Sequence, residues 1–196
     1  MPKLLKPGDL SSLLRPGMRV FVESAGGEPS DLIEGLIAER NACAGIEFIA
    51  CQIPGLNRVD FAGIHREARS TSLFVTPETA TSYRSGRVRF MPLAYSHMYR
   101  YLLSVSVDVA LIQVTPAAKR GVFSLGTSVH FVPAILDKAK TVIAEINDQL
   151  PRVGRSVDLD EARLDYILPT AHALPTVDTD VASESMRKIG EHVATL

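Results

Sequence analysis

Three groups of residues in this chain combine types and settings that site chemistry needs. Gly26-Gly27-Glu28-Pro29 stands where a strand hands over to a helix, and the backbone N–H groups of such a turn, backed by the helix dipole, receive a phosphate or a carboxylate. An ordinary tight turn explains two glycines equally well, and Glu28 repels an anion unless its side chain points elsewhere. Glu145 and Asn147 interrupt the otherwise apolar run Val142-Ile143-Ala144-Glu145-Ile146-Asn147. A buried carboxylate demands partners or a shifted pKa, so the pair either faces the functional end of the strand or alternates out to water. Gln113 closes the most apolar run of the chain, just ahead of Thr115-Pro116, and strand ends of that kind present side chains to ligands in open α/β sheets.

Several other chemistries find no support. No Walker A pattern and no G-x-G spacing is present, which weakens nucleotide-fold readings. Gly121-Val122-Phe123-Ser124-Leu125-Gly126 holds its serine one residue out of place for a nucleophile elbow, and a serine hydrolase is set aside. The five histidines, at 65, 97, 130, 172 and 192, include no helical i, i+4 pair; they read as solvated or hydrogen-bonded structural groups, with no metal and no cofactor expected. Cys43 and Cys51 have no companions at metal spacing and read as two buried thiols, which fits a reducing cytoplasm.

Size and charge bound the rest. A chain of 196 residues, 46% hydrophobic and 22% charged, buries one core as a single domain. A net charge of -1 gathers no nucleic acid. Arg66, Arg69, Arg84, Arg87, Arg89 and Arg100 fall in one stretch; they either meet the phosphates of a ligand or spread over a solvated surface. No apolar leader opens residues 1–12, and the longest uncharged stretch, 121–136, is too short and polar to span a bilayer. The expectation is a cytoplasmic protein without a membrane role.

The elements that must position these residues alternate. Residues 19–22 predict a strand, and the segment after the glycines predicts a helix capped by Ser30, with Leu32, Ile33, Leu36 and Ile37 on its apolar face. Further strands are expected at 46–53, 73–75, 88–93, 107–114, 142–147 and 164–168, with a loop over 55–70. Helices are expected at 77–85, 96–104, 133–140 and 180–194, the last with Met186, Ile189 and Val193 inward. The near-continuous β-branched run at 107–114 marks a central parallel strand covered on both faces. The fold class is therefore α/β, a mostly parallel sheet flanked by helices. Residues 170–179, with two prolines, form a possible linker to a C-terminal helix over 180–195.

Taken in order, several stretches resemble the acetyl-CoA hydrolase/transferase family, which includes 4-hydroxybutyrate and succinyl-CoA:acetate CoA-transferases. They are Pro16-Gly17-Met18-Arg19-Val20-Phe21-Val22, Gly26-Gly27-Glu28-Pro29, Val107-Asp108-Val109-Ala110-Leu111-Ile112-Gln113-Val114-Thr115-Pro116, Gly121-Val122-Phe123-Ser124-Leu125-Gly126-Thr127-Ser128-Val129, Val142-Ile143-Ala144-Glu145-Ile146-Asn147-Asp148-Gln149-Leu150-Pro151-Arg152 and Ile189-Gly190-Glu191-His192-Val193-Ala194. The resemblance covers nearly the whole chain and identifies it with the N-terminal half, a CoA-transferase-like domain.

That resemblance implies an enzyme of two related α/β halves with a coenzyme A thioester, its substrate, held between them. A glutamate of the C-terminal half attacks the acyl carbonyl, and backbone N–H groups hold the developing oxyanion. Water as acceptor makes a hydrolase; a small carboxylate makes a transferase. No catalytic residue is then expected here. Substrate-binding residues are expected in three places: Gly26, Gly27 and Glu28 on one loop; Gln113, Thr115 and Ser124 on another; Glu145 and Asn147 at a strand end. The expected partners are an acyl-CoA, a small carboxylate, the C-terminal half and a second copy of the chain. A family pattern with an acidic residue before the glycine is replaced here by Ala117-Ala118-Lys119-Arg120-Gly121, and Lys119-Arg120 would favour an anionic acyl group or CoA phosphates. The alternatives are a non-catalytic α/β domain that binds CoA or a partner protein, and an unrelated small-molecule module.

Overall fold

The computed structural model describes residues 1–6, 8–118, 121–177 and 182–196. The strands are β1 (Lys3–Leu4), β2 (Arg19–Val22), β3 (Glu47–Ala50), β4 (Arg69–Ser72), β5 (Val88–Phe90), β6 (Val109–Val114), β7 (Val122–Ser124), β8 (Thr141–Asn147), β9 (Asp158–Asp160) and β10 (Tyr166–Thr170). The helices are α1 (Asp9–Leu13), α2 (Ser30–Ala38), α3 (Ala80–Arg84), α4 (Tyr95–Ser104), α5 (Val132–Leu136) and α6 (Glu184–Val193). Eight strands form one sheet in the order β1-β10-β8-β6-β2-β3-β4-β5, and every pairing in it is parallel. β7 and β9 form a separate antiparallel ribbon.

Strand alternation sorts the core into two layers. Phe21, Ile49, Ala110, Ile112 and Ala144 point to one face and pack with Met98 and Leu102 of α4 and Ile135 of α5. Val20, Val22, Phe48, Leu111 and Ile143 point to the other and meet Leu32, Ile33 and Leu36 of α2 and Leu10 of α1. All six residues of β6 are buried, as expected of a strand covered on both sides. Each fully buried side chain of this kind contributes about 1.5–3 kcal/mol.

The structure corrects several local expectations. The strand expected at 73–75 lies instead at Arg69–Ser72, where Ser70, Thr71 and Ser72 are all buried. Small hydroxyl side chains carry no apolar signal, yet the ladders to β3 and β5 satisfy their backbone. Ile37 is 48% exposed rather than on the apolar face of α2. Ser30 does not cap α2; its hydroxyl turns back to the Glu28 carbonyl. α6 is capped by Ser183, whose hydroxyl accepts the Met186 N–H at 3.2 Å, but Met186, Ile189 and Val193 are 65%, 62% and 61% exposed, so the inward packing expected of them is not found. Neither β1 nor β9 is expected from the sequence pattern, because each is too short to show a period.

The two ends of the sheet differ in character. At the amino ends, Asp108 accepts the Arg19 N–H and the Lys140 ammonium, and Arg19 pairs with Glu47 at 2.8 Å, all partly open to water. At the carboxyl ends the polar groups are buried, and this is where the sheet holds its candidate site.

The register of α4 is checked by a pair of adjacent substitutions. Leu102→Ala, which empties a fully buried position, is expected to cost about 2–5 kcal/mol in denaturant unfolding. Leu103→Ala, at a position 52% exposed, is expected to stay within about 0.5 kcal/mol.

Candidate functional site

β2 sits between β3 and β6. From β2 the chain builds outward through β3, β4 and β5 on one side, while β6, β8 and β10 extend the sheet on the other. This reversal opens a crevice beyond the carboxyl ends of β2 and β6, where open α/β sheets bind ligands. The loop leaving β2 carries Glu23 to Glu28, with a 3-10 turn over Ala25–Gly27. Gln113 lies near the end of β6, and Glu145 and Asn147 at the end of β8.

Register brings the last three together. Gln113 is paired with Glu145 across β6 and β8, and Asn147 with Thr170 across β8 and β10. Because these positions share the parity of Leu111 and Ile143, they lie on the α2 face. The Asn147 side-chain amide donates to Gln113 Oε1 at 2.6 Å, and the Gln113 amide donates to the Glu28 carbonyl at 3.2 Å. Glu145 Oε2 accepts the N–H of Leu32 in the first turn of α2 at 2.9 Å. A carboxylate from across the sheet therefore caps this helix and faces the positive end of its dipole.

His172, in the stretch after β10, completes the group. Its ring Nε2 meets Glu145 Oε1, and its backbone brackets Asn147: the Asn147 amide donates to the His172 carbonyl at 2.9 Å, and the His172 N–H donates to Asn147 Oδ1 at 3.3 Å. Nearby, the Thr170 hydroxyl donates to Asp31. Burial works against a charged His172 ring, but the hydrogen bonds to Glu145 and the Ala173 carbonyl and the charges of Glu145 and Asp31 outweigh it and hold the imidazole above the usual histidine range. Burial raises the Glu145 carboxyl, opposed by its bonds from His172 and Leu32.

The glycine loop is held from its other side by Asn57. Asn57 Oδ1 accepts the Ala25 and Ile53 N–H groups, both at 2.9 Å, and its amide donates to the Ala25 carbonyl at 3.1 Å and to Glu28 Oε2 at 2.6 Å. Burial lifts the Glu28 carboxyl to about 7 against this bond. Glu28 is thus turned inward and largely uncharged below neutrality, which relieves the repulsion that its sequence position suggests. Beneath the loop lies Glu23, fully buried, with Oε2 accepting the Gln113 N–H at 2.8 Å and Oε1 without a partner. Burial drives its pKa far up despite that bond. A Cβ at position 27 would overlap the Glu23 carboxyl, so Gly27 is required by close approach rather than by backbone angle. Gly26 faces Thr127 and Ser128 of the loop after β7.

The structure therefore joins Glu28, Gln113 and Asn147, with Glu145 through His172, in one network, and Gly26 and Gly27 adjoin it in the same loop as Glu28. Thr115 and Ser124 are bonded to each other through backbone at 2.8 Å, but their hydroxyls serve their own turns, toward the Pro116 carbonyl and from the Gly126 N–H. Lys119 and Arg120 lie outside the described residues. Of the arginine stretch, Arg69 begins β4 and Arg87 precedes β5, both at the amino ends and away from the crevice, where Arg87 is spent on the Ala62 carbonyl and Ser82. Sequence reasoning misses Glu23, Asn57 and His172. Glu23 carried a usable signal, an acid closing an apolar strand; Asn57 and His172 sit in loops whose approach only the fold reveals.

Glu23 makes a clear pH test. Its folded pKa is raised, so the folded state favours the protonated acid, and the corresponding stability is lost as pH rises above the unfolded value. Glu23→Gln, an uncharged isostere, is expected to match the parent in thermal unfolding near pH 4. Above that it should gain by about 1.4 kcal/mol per pH unit until the folded acid itself ionises.

The chain has recognisable company among known proteins. Residues 1–176 match the acetyl-CoA hydrolase/transferase N-terminal domain family. The chain is 30% identical over 196 residues to 4-hydroxybutyrate coenzyme A transferase of Clostridium kluyveri, covering 99% of this chain and 46% of that protein. It is 28% identical over 207 residues to a succinyl-CoA:acetate/propanoyl-CoA:succinate CoA transferase of Fasciola hepatica, covering 98% and 41%. Among solved structures, RipA from Yersinia pestis superposes with a TM-score of 0.84 at 21% identity, covering 98% of this chain and 48% of that one. 4-Hydroxybutyrate CoA-transferase from Porphyromonas gingivalis superposes at 0.68 and 18% identity, covering 98% and 45%. The chain thus spans less than half the length of these relatives. With the parallel sheet, the switch-point crevice and a family match over most of its residues, it belongs to the acetyl-CoA hydrolase/transferase family as that family's N-terminal domain.

Proposed function

We propose that this chain forms one wall of an acyl-CoA thioester site and acts with a C-terminal half that brings the nucleophilic glutamate. The observation that carries this reading is the state of the carboxylates at the crevice. Glu23 and Glu145 are wholly buried, and Glu28 is only 9% exposed and bonded to Asn57. A nucleophile must reach the thioester carbonyl, whereas Glu23 and Glu145 accept backbone N–H groups and Glu28 accepts the Asn57 side-chain amide. In this reading Gly26, Gly27 and Glu28 shape the loop beside the thioester, Gln113, Glu145 and Asn147 hold that loop, and Thr115 and Ser124 support the neighbouring turn.

Attack on the thioester needs three things at once: an exposed carboxylate, donors for the oxyanion, and control of water. The glycine loop supplies a boundary with its acids neutral or paired, so that the charge brought in by the incoming glutamate passes to the carbonyl oxygen without a second anion beside it. The acceptor is a small carboxylate or water. The N-terminal domain includes residues 170–179 as a linker, of which 178 and 179 lie outside the described residues, leading to α6. The free, buried Cys43 and Cys51 support a reducing cytoplasmic setting, and association with a second copy of the chain belongs to the same reading. Among the described residues, no helix is long and apolar enough to cross a membrane.

The direct test is to incubate the purified chain with acetyl-CoA and follow free thiol. No release above background is expected from the chain alone, and release is expected once a family C-terminal half carrying the glutamate is added. Brisk hydrolysis by the chain alone would overturn the assignment of the nucleophile to the other half. In the assembled enzyme, Asn57→Ala is expected to lower the apparent affinity for acetyl-CoA by about tenfold, the effect of about 1.4 kcal/mol. Gly27→Ala is expected to do at least as much by displacing Glu23, and the dependence of initial rate on acetyl-CoA concentration reads both.

A further inference from the structure

The segment after β10 reaches back over the carboxyl end of the sheet, and what it touches there is a line of side chains ending at the glycine loop. We infer that His172 is a positioning residue that sets the geometry of the Gly26-Gly27-Glu28 loop through Asn147 and Gln113, linking the path by which the chain leaves the sheet to the shape of the crevice. This deepens the reading above, since it concerns how the same loop is held.

The inference rests on direction as well as proximity. An amide side chain presents an oxygen and an NH2 group of nearly equal shape, and which faces which is decided by its partners. Asn147 is oriented mainly by backbone: Oδ1 accepts the N–H groups of Gln149 and His172, at 3.0 and 3.3 Å, and Nδ2 donates to the His172 carbonyl at 2.9 Å, with the His172 ring Nδ1 3.4 Å from the same Nδ2. Asn147 must therefore present an N–H to Gln113, which it does at 2.6 Å. Gln113 is then obliged to turn its oxygen toward Asn147 and its NH2 toward the Glu28 carbonyl. Gln113 and Asn147 are wholly buried, so a flipped amide would leave polar atoms unsatisfied, which is costly away from water.

His172 is itself pinned. Its ring meets Glu145, whose other oxygen caps α2 at Leu32, and the strand residue two places before it, Thr170, is tied to Asp31 in the first turn of α2. The side chain of His172 is only 18% exposed. One residue of an irregular segment thus holds both the start of α2 and the relay to the loop preceding it. The titratable and charged groups that face the ring are Glu145 from β8 and Asp31 from α2.

The experiment is residue-resolved amide hydrogen exchange on the full chain, comparing the parent with His172→Ala and His172→Gln. His172→Ala is expected to speed exchange at Gly27 and Leu32 by about tenfold, with the β3 and β4 amides unchanged. His172→Gln, which keeps a donor toward Glu145, is expected to restore most of the protection. Unchanged exchange at Gly27 and Leu32 in His172→Ala would overturn the inference, and so would a uniform rise across the sheet, which would make His172 merely a stabilising residue. Acetyl-CoA titration of the same variants, each assembled with a family C-terminal half, reads the functional proposal separately: a local loss of protection in the chain with no effect of acetyl-CoA on the assembled parent sinks the thioester site and leaves the positioning role standing.

Discussion

Glu145 is buried to the last atom, and the rest of the site follows from how its charge is satisfied. One oxygen takes the first-turn N–H of Leu32 and the other meets His172. A helix start has unsatisfied donors and a positive end, and a buried carboxylate has unmet acceptors; each meets the other's need, and neither is stable there alone. Because α2 follows directly on Gly26-Gly27-Glu28-Pro29, placing its first turn also places the end of the glycine loop. The sheet thereby specifies the loop from a distance, through a strand two positions away from β2 in spatial order.

The other carboxyls extend the same logic. Glu23 has one bonded oxygen and one bare one, and burial raises its pKa far more than the single Gln113 N–H bond lowers it. Glu28 titrates near neutrality because burial raises it while Asn57 supplies a single donor. Ionisation of either acid would place negative charge under a loop proposed to face thioester and phosphate groups. Burial that disfavours their charged forms suits the anionic ligand proposed for the crevice, and it couples the stability of this end of the sheet to pH. By contrast, Asp108 at the opposite end is held below the usual carboxylate range by Lys140 and by the Arg19 N–H, with the Lys140 partner exposed to water.

Much of this was legible in the chain, and the reason is periodicity. The apolar run of β6, broken only by Gln113, and the two polar breaks in β8 stand out because buried parallel strands tolerate few polar residues. Gln113, Glu145 and Asn147 were found that way, and strand parity explains why they share a face. β4 was misplaced because Ser70, Thr71 and Ser72 occupy buried sites with polar side chains, and the apolar Leu73-Phe74-Val75 beside them carried the louder signal. Local capping is the common solution and points to Ser30; the N–H of Leu32 is instead met by Glu145, 113 residues away in sequence, and no local pattern encodes that. Asn57 and His172 were invisible for the same reason, since an irregular segment has no period to announce which residue turns inward.

α6 shows the limit of the periodic argument from the other side. Its apolar positions repeat as a buried helix requires, and the helix forms where the pattern puts it, yet Met186, Ile189 and Val193 all stand open to water. Periodicity reports that a face is meant for burial; it does not report against what. The relatives are more than twice as long as this chain, and the solved ones overlay nearly all of it with less than half of their own residues. The segment that leads toward α6 is also the segment that holds Asn147 and Glu145 through His172. A body docking beyond that segment would act on the glycine loop through hydrogen bonds already in place, without needing to touch the loop itself.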